Sequence, residues 1–340
     1  MTIAPRALEQ GASTLLEQVA RRYAVAVSPT LLSLIDPADP ADPIARQFLP
    51  SLKELTILTG ERADPIGDEV HAPVPGIVHR HPGRVLFKAV SACPVYCRFC
   101  FRRETVGPGK ENMLVPAAFE AALAYIAGHP EIREVILTGG DPFILSPRRI
   151  AEISSRLAGI AHVRIVRWHT RVPLTDPVRV TDDLVAALRG AGATSWVAIH
   201  ANHAREFGPD AIRAIARLAD AGIPLISQSV LLKGVNDNVT ALAALMRTFT
   251  ENRIKPYYLH HPDLAPGTSH FRPPIADGVA LMQALRKELS GLEMPTYMLD
   301  IPGGFGKVPL ESDHLELSAT GIRVRDVAGI WHGYEDHIAG

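Results

Sequence analysis

The sequence predicts an α/β protein built as a partial parallel (β/α)6 barrel with a helical N-terminal extension. Three observations carry that reading. Short apolar, β-branched runs alternate with longer amphipathic stretches of helical period from about residue 85 onward. Polar, chemistry-bearing residues fall at the C-terminal ends of the successive runs, where a parallel barrel gathers its active-site groups. Finally, the only three cysteines of the 340-residue chain, Cys93, Cys97 and Cys100, sit in one loop directly after the first run.

Taken in order, residues 1–70 mix short helical patterns (12–23 and 43–55) with the punctuation DPADPADP, which suits a helical extension better than an independent catalytic domain. Strands are expected at 85–90, 134–137, 163–167, 195–199, 224–229 and 256–259, and helices at 116–127, 147–158, 181–191, 209–221, 238–250 and 277–289. Strand then helix, repeated, calls for parallel strands with right-handed crossovers. Spacing favours a closed or partly closed barrel and leaves an open sheet as the alternative. The barrel spans 71–310, and 311–340 form a C-terminal tail.

The strand ends supply Thr138-Gly139-Gly140-Asp141, then Trp168-His169-Thr170-Arg171, then His200, Asn202 and His203, then Gln228, and last His260-His261-Pro262-Asp263. A single histidine in such a place is usually a hydrogen-bonded structural residue; the joint placement points to a site. Gly139-Gly140 reads equally as a plain turn or as backbone that a small ligand's amino group can approach. The stretch Asp300-Ile-Pro-Gly-Gly-Phe-Gly306-Lys307 is no Walker loop, because Ile301 stands where the first glycine belongs and Val308 follows the lysine. Composition makes Lys307 a solvated lysine on a mobile loop, or an amine able to form a Schiff base.

Composition narrows the class. With 35 basic and 36 acidic residues and a formal charge of -1, nothing favours nucleic acid or an anionic membrane. The N-terminus lacks the basic-then-apolar pattern of a secretory signal, and no apolar run reaches spanning length. The spacing C-x3-C-x2-C lets three thiolates embrace a cubic iron-sulfur cluster and leaves a fourth iron without a protein ligand. Zinc completed by His79 or His81, or a chance grouping, are the alternatives. A cluster, and no cysteine left for a disulfide, suit a reducing cytoplasm.

Together, CPVYCRFCFRR, LTGGDP, HANH, QSVLLKGVNDN, KPYYLHHPDL and MLDIPGGFGK closely resemble the lysine 2,3-aminomutase family of radical S-adenosylmethionine enzymes, from about residue 70 to 310. The resemblance implies a barrel of the radical S-adenosylmethionine type, a 4Fe-4S cluster on Cys93, Cys97 and Cys100, and S-adenosylmethionine chelating the open iron. It implies that Gly139, Gly140 and Asp141 border the methionine amino group, with His200 and Gln228 near the nucleoside and sulfonium. Lys307 matches the lysine that holds pyridoxal 5'-phosphate as an aldimine, in a C-terminal coenzyme-lysine segment, and Arg80 and Arg84 match contacts to the coenzyme phosphate, for which a planar guanidinium is suited. Arg102 matches the arginine on the substrate α-carboxylate, and Asp263 and Asp300 the pair on the distal ammonium of L-lysine. The implied reaction moves the α-amino group of L-lysine from C2 to C3, through an external aldimine, to give β-lysine. Two acidic groups facing the distal end reward an ammonium and repel a carboxylate, which argues against glutamate. The compact length resembles the branch whose (R)-β-lysine modifies elongation factor P. The implied partners are therefore lysine, a reductant such as flavodoxin or ferredoxin, and a downstream elongation factor P ligase, with a homo-oligomer left open. The alternatives are a radical S-adenosylmethionine enzyme acting on another amino acid, one without pyridoxal phosphate that consumes S-adenosylmethionine, and a non-catalytic or zinc-bound protein on the same barrel.

Overall fold

A computed structural model describes residues 10–107, 113–189, 192–310, 315–318, 321–326 and 329–334. Nine strands form one sheet in sequential order: β1 (Ile77–His81), β2 (Arg84–Val90), β3 (Glu134–Gly139), β4 (Ile165–Thr170), β5 (Thr194–His200), β6 (Leu225–Val230), β7 (Ile254–His260), β8 (Thr296–Ile301) and β9 (Gly306–Pro309). Strands β2 to β8 run parallel, while β1 and β9 add an antiparallel strand at each edge. The six expected strands are all present. The sheet exceeds them by a seventh parallel strand and by both edges.

Each crossover is helical, and the helices start within two residues of where the sequence puts them, although the expected helix 277–289 runs instead over Ile275–Leu285. Ser146 caps Pro147–Ala158 by accepting from Arg149 N, and Asn238 caps Val239–Glu251 by accepting from Ala241 N. Pro at the first turn fixes the entry of Pro116–Ala127, Pro147–Ala158 and Pro209–Asp220. The expected helix 181–191 is helical over Asp182–Leu188; residues 190 and 191 lie outside the described ones. Between sheet and helices lies one continuous apolar core, from Phe87 and Phe119 through Trp168 and Ile199 to Leu259 and Tyr297.

The sheet curls until its ends nearly meet. Arg80, on edge strand β1, reaches Asp300 on β8, with Nη1 2.9 Å from Oδ1, and also donates to Ile66 O at 2.8 Å. Nearby, Gly67 lies so close to Gly304 that a Cβ on Gly67 would come within 2.6 Å of Gly304 N. The barrel is thus nearly closed, and the segment before β1 seals the seam.

The N-terminal region is a string of short helices, Gln10–Arg22, Pro29–Leu34 and Pro43–Phe48, then the 3-10 turn Leu52–Leu55. The acidic punctuation is capping chemistry: Asp42 Oδ1 accepts from Ile44 N at 2.8 Å and from Ala45 N at 2.7 Å, with Pro43 next in line. Leu31, Ile44 and Phe48 make a second core with Val95 of the cysteine loop. The extension therefore packs on the element that carries the chemistry. Within 311–340, described strands β10 (Leu315–Ser318), β11 (Gly321–Arg325) and β12 (Trp331–Tyr334) form a separate antiparallel sheet. Residues 311–314, 319, 320, 327, 328 and 335–340 of the expected tail, and residues 1–9 of the N-terminal reading, lie outside the described ones.

Candidate active site

The strand ends open into one cavity of about 260 Å3. Cys93, Cys97, Cys100 and Lys307 all line it, together with Arg80, Arg84, Arg102, Gly139, Gly140, Asp141, His200, Gln228 and Asp263. Asp300 meets it through Lys307 and Arg80. These candidates are therefore at or against a single space, whereas three strand-end residues named from the sequence are not: Trp168 is buried in the core, His203 caps the turn at Arg205 and His261 bonds Tyr297 Oη at 2.8 Å.

The three thiols are free, and all lie above the ordinary thiol range. Burial is the main cause; for Cys100, with the Cys97 charge adding to it, the value rises to about 11. Protonated thiols gathered this way suit metal that displaces their protons on binding. Among the described residues no group of three His, Cys, Asp or Glu could hold a single metal ion. A cubic cluster asks something different, one thiolate at each of three irons. His79, one of the zinc alternatives, faces elsewhere and bonds Tyr125 Oη at 2.8 Å. The donor set fits a three-cysteine cluster.

The Gly139-Gly140 turn has a packing reason. A Cβ on Gly140 would meet Ala92 O at 2.2 Å and Ala92 N at 2.6 Å, and Gly139 has φ +102° with Val90 O in the way. The missing side chains let the root of the cysteine loop lie directly on the end of β3. Asp141 ties the same turn to β4: Oδ1 accepts from Phe143 N at 3.0 Å and from Thr170 Oγ1 at 2.7 Å, and Oδ2 accepts from Arg171 N at 2.7 Å.

Lys307 is no mobile loop lysine. It lies on β9, paired in register with Asp300 of β8, and its Nζ is 2.5 Å from Asp300 Oδ2. The glycines before it, Gly303, Gly304 and Gly306, all have positive φ and make the tight turn that folds β9 back. Asp300, with a side chain 1% exposed, is thus bracketed by Arg80 and Lys307. Asp263 differs: no described donor bonds its carboxylate, and burial, with Asp300 adding and Lys307 opposing, lifts it to about 7. Arg84 and His81 also line the cavity, and His81 feels the charges of Arg84, Arg80, Asp300 and Lys307. Arg84, the Nε of Arg80, which has no partner among the described residues, and the Lys307 amine on one cavity fit pyridoxal phosphate, whose phosphate needs cations and whose aldehyde needs the amine.

Arg102 is held by Asp68, with Nη2 2.8 Å from Oδ2, and Lys88 Nζ stands 3.6 Å from the same oxygen. Burial works against the Asp68 charge, but Arg102 and Lys88 outweigh it and hold the carboxyl below its usual range. The histidines of the wall are neutral: burial, with Arg171 and Arg102, takes His200 down to about 3, and burial takes His169 and His260 well below the ordinary value. His200 Nε2 and His169 Nδ1 are 3.2 Å apart, one donating to the other.

Sequence reasoning missed the acidic residues behind the site: Asp68 on Arg102, Glu54 on Arg98 and Arg103, and Glu206 on Arg171. Glu54 carried a local signal, since SLKE is a capping box; Glu206 closes a similar box on His203, but histidine at the cap gives no such signal in sequence.

Residues 88–246 match the family model "Radical SAM superfamily". The L-lysine 2,3-aminomutase of Clostridium subterminale is 37% identical over 94% of this chain and 77% of its own length. The glutamate 2,3-aminomutase of Clostridioides difficile is 35% identical over 90% and 72%. A radical SAM methyltransferase structure from Sphaerobacter thermophilus aligns with a TM-score of 0.45 and 21% identity over 66% of this chain and 68% of that one.

Proposed function

Because the chain belongs to the lysine 2,3-aminomutase family of radical S-adenosylmethionine proteins, we propose that it moves the α-amino group of L-lysine from C2 to C3 to give β-lysine. The observation that carries this reading is the shared cavity: a three-cysteine loop and a strand-borne lysine face one space of about 260 Å3. In this reading Cys93, Cys97 and Cys100 would hold a 4Fe-4S cluster, which, with S-adenosylmethionine and one electron from an external reductant, would supply a hydrogen-abstracting radical. Pyridoxal 5'-phosphate on Lys307 supplies the conjugated system that carries the migrating nitrogen.

The chain's own residues do the rest. Arg84 binds phosphate oxygens together with Arg80, whose Nε has no partner among the described residues while its other nitrogens bond Asp300 and Ile66, and Arg102, steadied by Asp68 on Nε and Nη2, pairs with the α-carboxylate. Gly139, Gly140 and Asp141 border the methionine amino group, and His200 and Gln228 face the nucleoside and sulfonium. Asp300 has its charge met by Arg80 and Lys307 until substrate arrives, whereas Asp263 is left free for the distal ammonium. A carboxylate at that end would face Asp263 and Asp300 together, so lysine is favoured over the glutamate of the Clostridioides relative. Neutral histidines and apolar walls keep water and loose protons from the radical.

Supply of β-lysine to an elongation factor P ligase, a flavodoxin or ferredoxin reductant, and a cytoplasmic setting rest on the sequence resemblance. No helix among the described residues is long and apolar enough to cross a membrane. The test is borohydride reduction of coenzyme-loaded enzyme followed by peptide mapping. The coenzyme should be fixed to Lys307, and its recovery on another residue would remove the reading.

A further inference from the structure

Arg171 follows β4, and Asp141 fixes its backbone N–H at 2.7 Å. Its guanidinium then passes beneath the cysteine loop. Nη1 donates to Cys97 Sγ at 3.4 Å, while Nη2 donates to Gln47 Oε1 at 2.8 Å and to Glu206 Oε2 at 2.6 Å. The side chains are 9% and 0% exposed for Arg171 and Glu206. Phe48 and Phe99 flank the guanidinium, their ring centroids 4.9 and 5.4 Å from Cζ. Glu206 cannot swing away, because its Oε1 accepts from Asn202 N at 2.8 Å and from His203 N at 3.0 Å.

A buried ion pair meant only to hold two loops together has no need of a sulfur partner. Here the donor is aimed at one of the three sulfurs that would ligate the cluster. A hydrogen bond to a ligating sulfur, and a cation beside it, stabilise the more negative, reduced cluster and raise its potential. The carboxylate on the far side of the guanidinium subtracts from that field, and in a buried site both contributions are little screened. We propose that Arg171 and Glu206 are an opposed tuning pair for the reduction potential of the cluster, Arg171 raising it and Glu206 lowering it, with Gln47 of the N-terminal extension holding both in place. This rests on the reading that Cys93, Cys97 and Cys100 hold a 4Fe-4S cluster. These are positioning residues that act through Cys97.

The test is an anaerobic redox titration, followed by electron paramagnetic resonance, of the reconstituted full chain and of Arg171→Met and Glu206→Gln. Arg171→Met should make one-electron reduction about tenfold less favourable, roughly 59 mV more negative, and Glu206→Gln should shift the midpoint the other way. Equal shifts in one direction, or an unmoved midpoint at full cluster content, would overturn the pair. Should Arg171→Met fail to assemble a cluster, Glu206→Gln alone decides: an unchanged or lowered midpoint there overturns the proposal. Wild-type chain that takes up no iron and sulfide would instead remove the underlying cluster reading.

Discussion

Glu54→Gln is the sharpest structural perturbation available. The Glu54 side chain is 0% exposed and is the shared anion of two arginines from the cysteine loop and its exit, Arg98 (2% exposed) and Arg103 (4%). It accepts from Arg98 Nε at 3.0 Å and Nη2 at 2.5 Å, from Arg103 Nη2, and from Ser51 N at 2.8 Å. Glutamine removes the charge and one acceptor while two guanidiniums stay out of water. Breaking a buried pair by neutralising one partner costs about 3–5 kcal/mol. The carbonyl of glutamine keeps one bond, and Arg98 and Arg103 keep theirs to Ala24 O and Gly267 O, which places the loss at the low end. For a chain of this size that is roughly a 4 °C fall in the apparent thermal midpoint. The fall should come with reduced iron uptake, because Arg98 lies between Cys97 and Cys100. Thermal unfolding by circular dichroism and iron analysis under anaerobic conditions measure both. A midpoint within a degree or two of wild type, with full iron, would refute the claim that this clamp holds the loop.

Gly140→Ala should cost more than the usual ~1–3 kcal/mol of overpacking, because the added methyl meets Ala92 backbone and nothing flexible can yield; undiminished cluster content would contradict it. Lys307→Ala should abolish the visible absorbance of bound coenzyme together with turnover, and retention of either would remove the coenzyme assignment. Asp263, raised to about 7, is uncharged below that value and carries its negative charge above it, so affinity for the lysine ammonium should rise with pH through about 7. One unit below the midpoint only about a tenth is ionised, which predicts a KM roughly tenfold higher there. Asp263→Asn should flatten that dependence, and an unchanged profile would argue against the contact.

The fold was legible where patterns are local. Strands such as β3 and β6 announced themselves as apolar, β-branched runs, and capped or Pro-led starts marked the helices between them. Strand β1 escaped because IVHRH reads as polar and sits between proline-rich turns, and β8 because TYMLDI is short and follows a helix-ending turn. Lys307 read as a loop residue because the glycines before it suggest freedom, whereas their positive φ values close a tight β8–β9 turn that pins the lysine opposite Asp300. In the site, the cysteines were legible from spacing alone. The carboxylates that support it were not: Glu54 lies 44 residues from Arg98, Asp68 lies 34 from Arg102 and Glu206 lies 35 from Arg171, and only the folded chain brings them together. Gly140 showed the same limit, since its turn is visible in sequence but the Ala92 backbone that forbids a side chain there is not.

The most direct measurement is an anaerobic incubation of the reduced, cluster-loaded chain with pyridoxal 5'-phosphate, S-adenosylmethionine and either L-lysine or L-glutamate, with products separated and identified by mass spectrometry. β-Lysine formed from lysine, with S-adenosylmethionine recovered and glutamate left untouched, is the predicted result. Conversion of glutamate in preference to lysine, or stoichiometric consumption of S-adenosylmethionine without amino-group migration, would contradict it.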